Sequence, residues 1–214
     1  MSKKSKIIIV IIVIILFLII IHLVRNYIIL NGIYNNINKF INYNDNYKFT
    51  SITYTPGEVD KVHNVYEEYV KDNILKARWE FTPEYTEETK DLNCTSIYWK
   101  NMETNEKEII TVDSEENPLT ENLVHWNEDI SYKSRFHLDV EDGIKDLYLN
   151  NIFNILKTDE GFYKINQLYG NYFKIKITDK TCEILIYNKD FLSIKQQINL
   201  NAVSDVDVSK IDIK

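Results

Sequence analysis

Residues 7–24 read IIIVIIVIILFLIIIHLV, a run without a charge that is closed by Arg25. At 1.5 Å per residue, about 18 residues in a helix nearly cross a hydrocarbon core of about 30 Å. In lipid every backbone amide must be paired within the segment, so a single span has to be helical despite its many β-branched residues. The pattern predicts a transmembrane signal anchor over 7–26. From 27 to 43 the apolar positions Leu30, Ile33, Ile37, Phe40 and Ile41 recur at helical spacing opposite Asn35, Asn36, Asn38 and Lys39. That predicts a juxtamembrane amphipathic helix, continuous with the anchor or bent at Gly32, whose apolar face either packs on a domain or lies on the bilayer.

Beyond residue 43 the period changes to two, and 44–214 reads as one β-rich domain. Strands are expected over 47–55, 62–71, 74–81, 95–101 and 107–113, with a hairpin at Asp72-Asn73 and turn residues at Pro56-Gly57. The stretch 123–140 has aromatic weight but no period. Asp142-Gly143 opens a predicted second helix with the stripe Ile144, Leu147, Tyr148, Ile152, Ile155 and Leu156, ended by Gly161. Strands over 162–169, 172–178, 181–187 and 192–200 then form an antiparallel meander. Phe173, Ile175 and Ile177 share a face, as do Ile184 and Ile186, and Leu192, Ile194, Ile198 and Leu200. The fold class is α+β and mostly β.

Charge sets the topology. Lys3, Lys4 and Lys6 precede the run, which by the positive-inside bias places 1–6 in the cytoplasm and the domain outside, in a single-pass cell-membrane protein. The region after the run is too bulky for a secretory cleavage site, and no cysteine follows it to accept a lipid. The formal net charge is −7, and all 32 acidic residues lie beyond the anchor, whereas Lys3, Lys4, Lys6 and Arg25 are four of the 25 basic ones. So acidic an exterior repels nucleic acid and the anionic faces of membranes, and a basic or neutral partner, or one bound through apolar contacts, fits it better.

Candidate chemistry is sparse. His63, His125 and His137 form no zinc-hydrolase pattern, and neither a nucleophile elbow nor a Gly-rich phosphate loop occurs. A thiol nucleophile assembled from a distant cysteine and histidine stays open. The acidic stretches 84–91, 113–116 and 205–212 lack the order of a tight calcium loop. No cofactor or metal is expected. Cys94 and Cys182 either form a disulfide across the domain or stay buried as separate thiols. Tyr66, Trp79, Trp99, Trp126, Phe173, Ile184 and Ile194 are the candidate lining of an apolar cavity, with plain core as the alternative.

Three stretches carry a resemblance: YKINQLYGNYFKIKI over 163–177, CEILIYNKDFLSIKQQI over 182–198 and VSDVDVSKIDI over 203–213. Together with the order of elements they resemble LolA-like domains, the lipoprotein-sorting fold of the outer membrane. In style they are most similar to the clostridial germination lipoproteins related to GerS. The resemblance covers about residues 31–214 and rests on pattern; the lipid-attachment cysteine of those lipoproteins is replaced here by a protein anchor. It implies a curved antiparallel half-barrel with helices on its concave side. It also implies a non-enzymatic binding domain that scaffolds or regulates an envelope partner, in a spore-envelope or germination setting. Local binding or hand-off of a lipid in the cavity is the alternative, and an unrecognised hydrolase the third reading. A tethered chain cannot shuttle between membranes.

Overall fold

The computed structural model describes residues 3–58, 61–81, 93–115, 117–119 and 155–210. It opens with one uninterrupted helix, α1 (Lys3–Ile41), that passes through Gly32 without a break. This helix is long and apolar enough to cross a membrane. Its first part stands clear of the protein: Ile7 to Ile21 are all exposed, from 39% at Ile19 to 62% at Phe17. Its second part is buried along a single stripe of Asn26, Leu30, Ile33, Ile37 and Phe40, spaced by three and four residues as one helix face requires. Each apolar member of that stripe contributes about 1.5–3 kcal/mol by leaving water. The Asn42 amide still bonds the Asn38 carbonyl, and the chain then turns into the sheet.

Among the described residues ten strands follow: β1 (Tyr47–Tyr54), β2 (Val62–Lys71), β3 (Ile74–Phe81), β4 (Cys94–Asn101), β5 (Lys107–Val112), β6 (Ile155–Lys157), β7 (Tyr163–Asn166), β8 (Tyr172–Ile177), β9 (Thr181–Asn188) and β10 (Phe191–Leu200). They form one antiparallel sheet in the order β5-β4-β3-β2-β1-β10-β9-β8-β7-β6. The first and last strands are therefore neighbours at its centre, and the chain leaves at the β5 edge and re-enters at the β6 edge. Asp72 and Asn73 both adopt positive φ, which is the geometry a two-residue hairpin demands.

One face of the sheet meets α1. Its core joins the α1 stripe to Tyr47, Phe49, Tyr66, Val70, Ala77 and Tyr98 on one side of the centre. On the other side lie Ile155, Ile165, Phe173, Ile175, Cys182, Ile184 and Ile198. Phe49, Ile184 and Ile198 are fully buried. The alternation predicted for β8 to β10 holds for Phe173, Ile175 and Ile184, and in β10 for Ile194, Ile198 and Leu200 but not for Leu192. A register shift around Ser193 opposes Leu192 to Tyr187 and Ile194 to Ile186, so Leu192 leaves the core row.

Two further expectations are corrected. Ile155 and Leu156 belong to strand β6, not to a helix, and Gly161 (φ +82) closes the β6–β7 turn, where Thr158 bonds Phe162. The rest of the predicted helix lies outside the described residues, as does 123–140. The strand expected over 162–169 ends at Asn166, because Tyr169 and Gly170 take left-handed φ angles of 62° and 83° in a tight turn.

Candidate functional site

The residues named as cavity lining are dispersed. Tyr66, Phe173 and Ile184 are buried core side chains, Trp79 packs on the margin of the same core and Ile194 is half-buried. Trp99 follows the core residue Tyr98 in β4 and so faces the opposite side of the sheet, which removes it from any shared cavity. Trp126 lies outside the described residues.

What the core face holds instead is a buried carboxylate. Glu68 is fully buried in β2, between Phe49 of β1 and Ala77 of β3. The Tyr47 hydroxyl donates to its Oε1 in a short hydrogen bond, and the Tyr66 hydroxyl donates to Oε2 at 2.8 Å. Two phenols from adjacent strands thus hold one acid in an apolar setting, where an unpartnered carboxylate would be prohibitive. Gln196 and Ser96 are also buried on this face, and Gln196 Nε2 reaches Ser51 Oγ at 3.4 Å. The Tyr66-x-Glu68-x-Val70 alternation carried the signal, since it puts an acid in phase with two core residues.

A cleft of about 350 Å³ opens at the ends of β2, β3 and β4, lined by Val62, His63, Val65, Arg78, Glu80, Phe81, Asn93, Cys94, Thr95 and Ser114. It brings His63 and Cys94 to one place. Burial and the negative charge of Asp113 push the Cys94 thiol up, the opposite of what activates a nucleophilic cysteine. Among the described residues no group of three or more His, Cys, Asp or Glu is placed to hold a metal ion. The acidic side chains instead cap turns. Asp113 Oδ1 accepts the Glu115 and Asn117 amides at 2.8 and 2.9 Å. Its carboxyl is held below the usual range by these bonds, that from Asn117 foremost.

The structure forms no disulfide between Cys94 and Cys182; both are buried thiols. They sit on β4 and β9, five strand spacings apart, or about 24 Å, whereas a bridge needs Cα atoms within about 7 Å. Burial pushes the Cys182 thiol up to about 12.

The outer face of β2 to β5 carries a second arrangement. After β10 the chain runs back across it as a strap without strand pairing. Lys71 Nζ donates to the carbonyls of Ser204 and Val206, and Lys76 Nζ to those of Asp207 and Ser209, all at 3.2 to 3.3 Å. The Trp99 indole donates to the Val208 carbonyl at 3.0 Å. Lys210 ends the crossing in ion pairs with Glu106 at 2.6 Å and Glu108 at 3.1 Å. Three side chains from three strands therefore capture five main-chain carbonyls of an extended segment. No family model, curated protein or solved structure matches this chain.

Proposed function

We propose that the chain is a membrane-tethered, extracytoplasmic binding domain without catalytic activity that scaffolds or regulates an envelope protein partner. The observation that carries this is α1: one helix supplies an exposed apolar run and, without a joint, the stripe that closes the core of the sheet. Anchor and domain are one rigid piece, suited to presenting a surface at a fixed height above a bilayer and unsuited to shuttling. Lys3, Lys4 and Lys6 support an N-terminus in the cytoplasm. The ten-stranded antiparallel sheet with a helix on one face supports a LolA-like half-barrel. The outer face offers the binding mode: lysine and indole donors that hold an extended main chain, now occupied by the protein's own tail.

Site-specific photo-crosslinking of the full chain in its native membrane tests the proposal. Probes at Glu103 and Asn105, beside the strap, are expected to trap one envelope protein in stoichiometric yield. Probes around the whole outer face that trap none overturn it. Local lipid binding is the second reading, favoured by the apolar core face. It requires a co-purifying lipid in solvent extracts of the detergent-solubilised chain.

A further inference from the structure

The exposed apolar run of α1 ends within a helical turn of the place where the protein begins to cover the helix. Val24 and Arg25 are exposed, and Asn26, the next residue, is fully buried. Residues 7–24 as a helix measure about 27 Å, close to a hydrocarbon core, so Asn26 stands at the level of the lipid headgroups. No linker separates the span from the domain, and some part of the domain must rest on the bilayer.

The sheet identifies which part. The C-terminal end of α1 is fixed at the end of the sheet where β1 starts and β10 stops. Tyr43 donates to Asn201 Oδ1 at 3.1 Å, and the Asn201 amide bonds the Asn46 carbonyl at 2.8 Å. The C-terminal end of α1 is held at that end, so its apolar run lies toward the other end of the sheet, where Ile155, Ile165 and Phe173 of β6, β7 and β8 belong to the core that α1 helps close.

That corner of the sheet is richer in tyrosine and lysine than the rest of an acidic domain, with one exposed carboxylate, Asp190, near Tyr172. Tyr169, at the tip of the β7–β8 turn, is 90% exposed, and Leu156 on the outer side of β6 is 60% exposed, the two most exposed large apolar side chains among the described residues beyond α1. Lys164 lies 4.0 Å from the ring centre of Tyr172, and Lys174 lies 5.4 Å from that of Tyr187. The two rings stack at 4.4 Å. Lys189 stands exposed beside Gly170, its amide bonded to Asn171 Oδ1. Among the described residues none of these three lysines is ion-paired to a carboxylate. Tyrosines flanked by lysines whose stems lie along apolar surface are the composition that settles at a membrane interface.

We propose that this corner is a lipid-facing surface. The domain is seated on the leaflet at the C-terminal side of the span, with Tyr169 and Leu156 entering the headgroup layer and Lys164, Lys174 and Lys189 bonding lipid phosphates. The inference rests on α1 being the anchor, as proposed above, and fixes the orientation of the domain on its own membrane.

The full chain in phospholipid nanodiscs tests it. Tyr169→Cys, labelled with an environment-sensitive fluorophore, is compared with Met102→Cys at the opposite end of the sheet, and wild type sets the background from its two buried thiols. With headgroup-spin-labelled phosphatidylcholine the probe at 169 is expected to be quenched and blue-shifted and the probe at 102 to be neither. Equal quenching at the two positions in chains that co-purify with discs overturns the seating. Chains that fail to enter discs overturn the anchor itself. Adding phosphatidylglycerol is expected to deepen quenching at 169. Changing Lys164, Lys174 and Lys189 to Gln is expected to remove that gain, at about fivefold per lysine in the ratio of seated to unseated domain. A triple variant that quenches like its parent overturns the phosphate contacts.

Discussion

The Trp99 indole nitrogen lies 3.0 Å from the Val208 carbonyl oxygen, a contact that joins the β4 strand to the C-terminal strap across 109 positions of sequence. Trp99 is only 5% exposed, and Lys210 Nζ of the strap lies 5.5 Å from its ring centre. Trp99→Phe keeps the ring and deletes the donor. It is expected to cost about 1 kcal/mol and to raise hydrogen exchange at 204–209 while leaving β1, β2 and β10 protected. Exchange mass spectrometry of the detergent-solubilised chain reads this directly, and an unchanged strap would show that the lysines alone hold it.

The strap has a pH window with two edges. The Asp207 carboxyl is held below its ordinary 3.8, first by the Ser209 amide and then by the Ser209 hydroxyl. A depressed folded pKa gives stability that is present above 3.8 and lost as pH falls through the lower folded value. Lys210 is raised above 10.5 by bonds to Glu106 and Glu108. Its contribution is complete below 10.5 and lost as pH rises through the folded value. Proteolysis at 204–210 is expected to be flat between these limits and to accelerate outside both. Lys210→Met should remove the part of the alkaline edge that its ion pairs with Glu106 and Glu108 supply and leave the acid edge.

Glu68 depends on its phenols. Tyr66→Phe removes a donor from a buried carboxylate and is expected to destabilise by about 1.5–3 kcal/mol. Tyr47→Phe should cost a similar amount, and the double variant less than the sum, because one acid is shared. Thermal unfolding of the four chains in one detergent supplies the cycle. Strict additivity would mean that the two bonds act independently.

Neither native thiol should react while the protein is folded. With Cys182 pushed up to about 12 by burial, its thiolate fraction at pH 8 is on the order of 10⁻⁴. Maleimide labelling is expected to be negligible in the native chain and to reach two equivalents in guanidinium. Reducing and non-reducing gels should coincide. A shifted non-reduced band would establish a bridge that the sheet geometry forbids.

The hairpins were legible because their turn residues carry the geometry: Asp72-Asn73 and Asp179-Lys180 stand between alternating strands, and β2 and β3 have the bounds that alternation predicts. The long apolar helix was legible from the length of its run and its freedom from charge. Strand β6 was not, since Ile152, Ile155 and Leu156 satisfy a helical spacing and a three-residue edge strand gives alternation no room. Leu192 was misassigned because an extra residue at Ser193 inverts the parity of everything before it. The strap was invisible for a different reason. It is held through its carbonyls, and every residue has one. The phenol–carboxylate group was readable in principle, but Glu68 sits beside Glu67, and a pair of acids reads as surface.

The strand order has a consequence for synthesis. β1 needs β10 as its second neighbour, and Gln196 meets Ser51 across 145 positions. Among the described strands, the one that follows α1 is the first to leave the ribosome and must wait for the last. Until then its second edge stands open, with α1 against one face. Completion of the sheet is therefore a closing step that occurs once per molecule, after β10 has been made. Any truncation that removes β10 is expected to unpair both halves of the sheet.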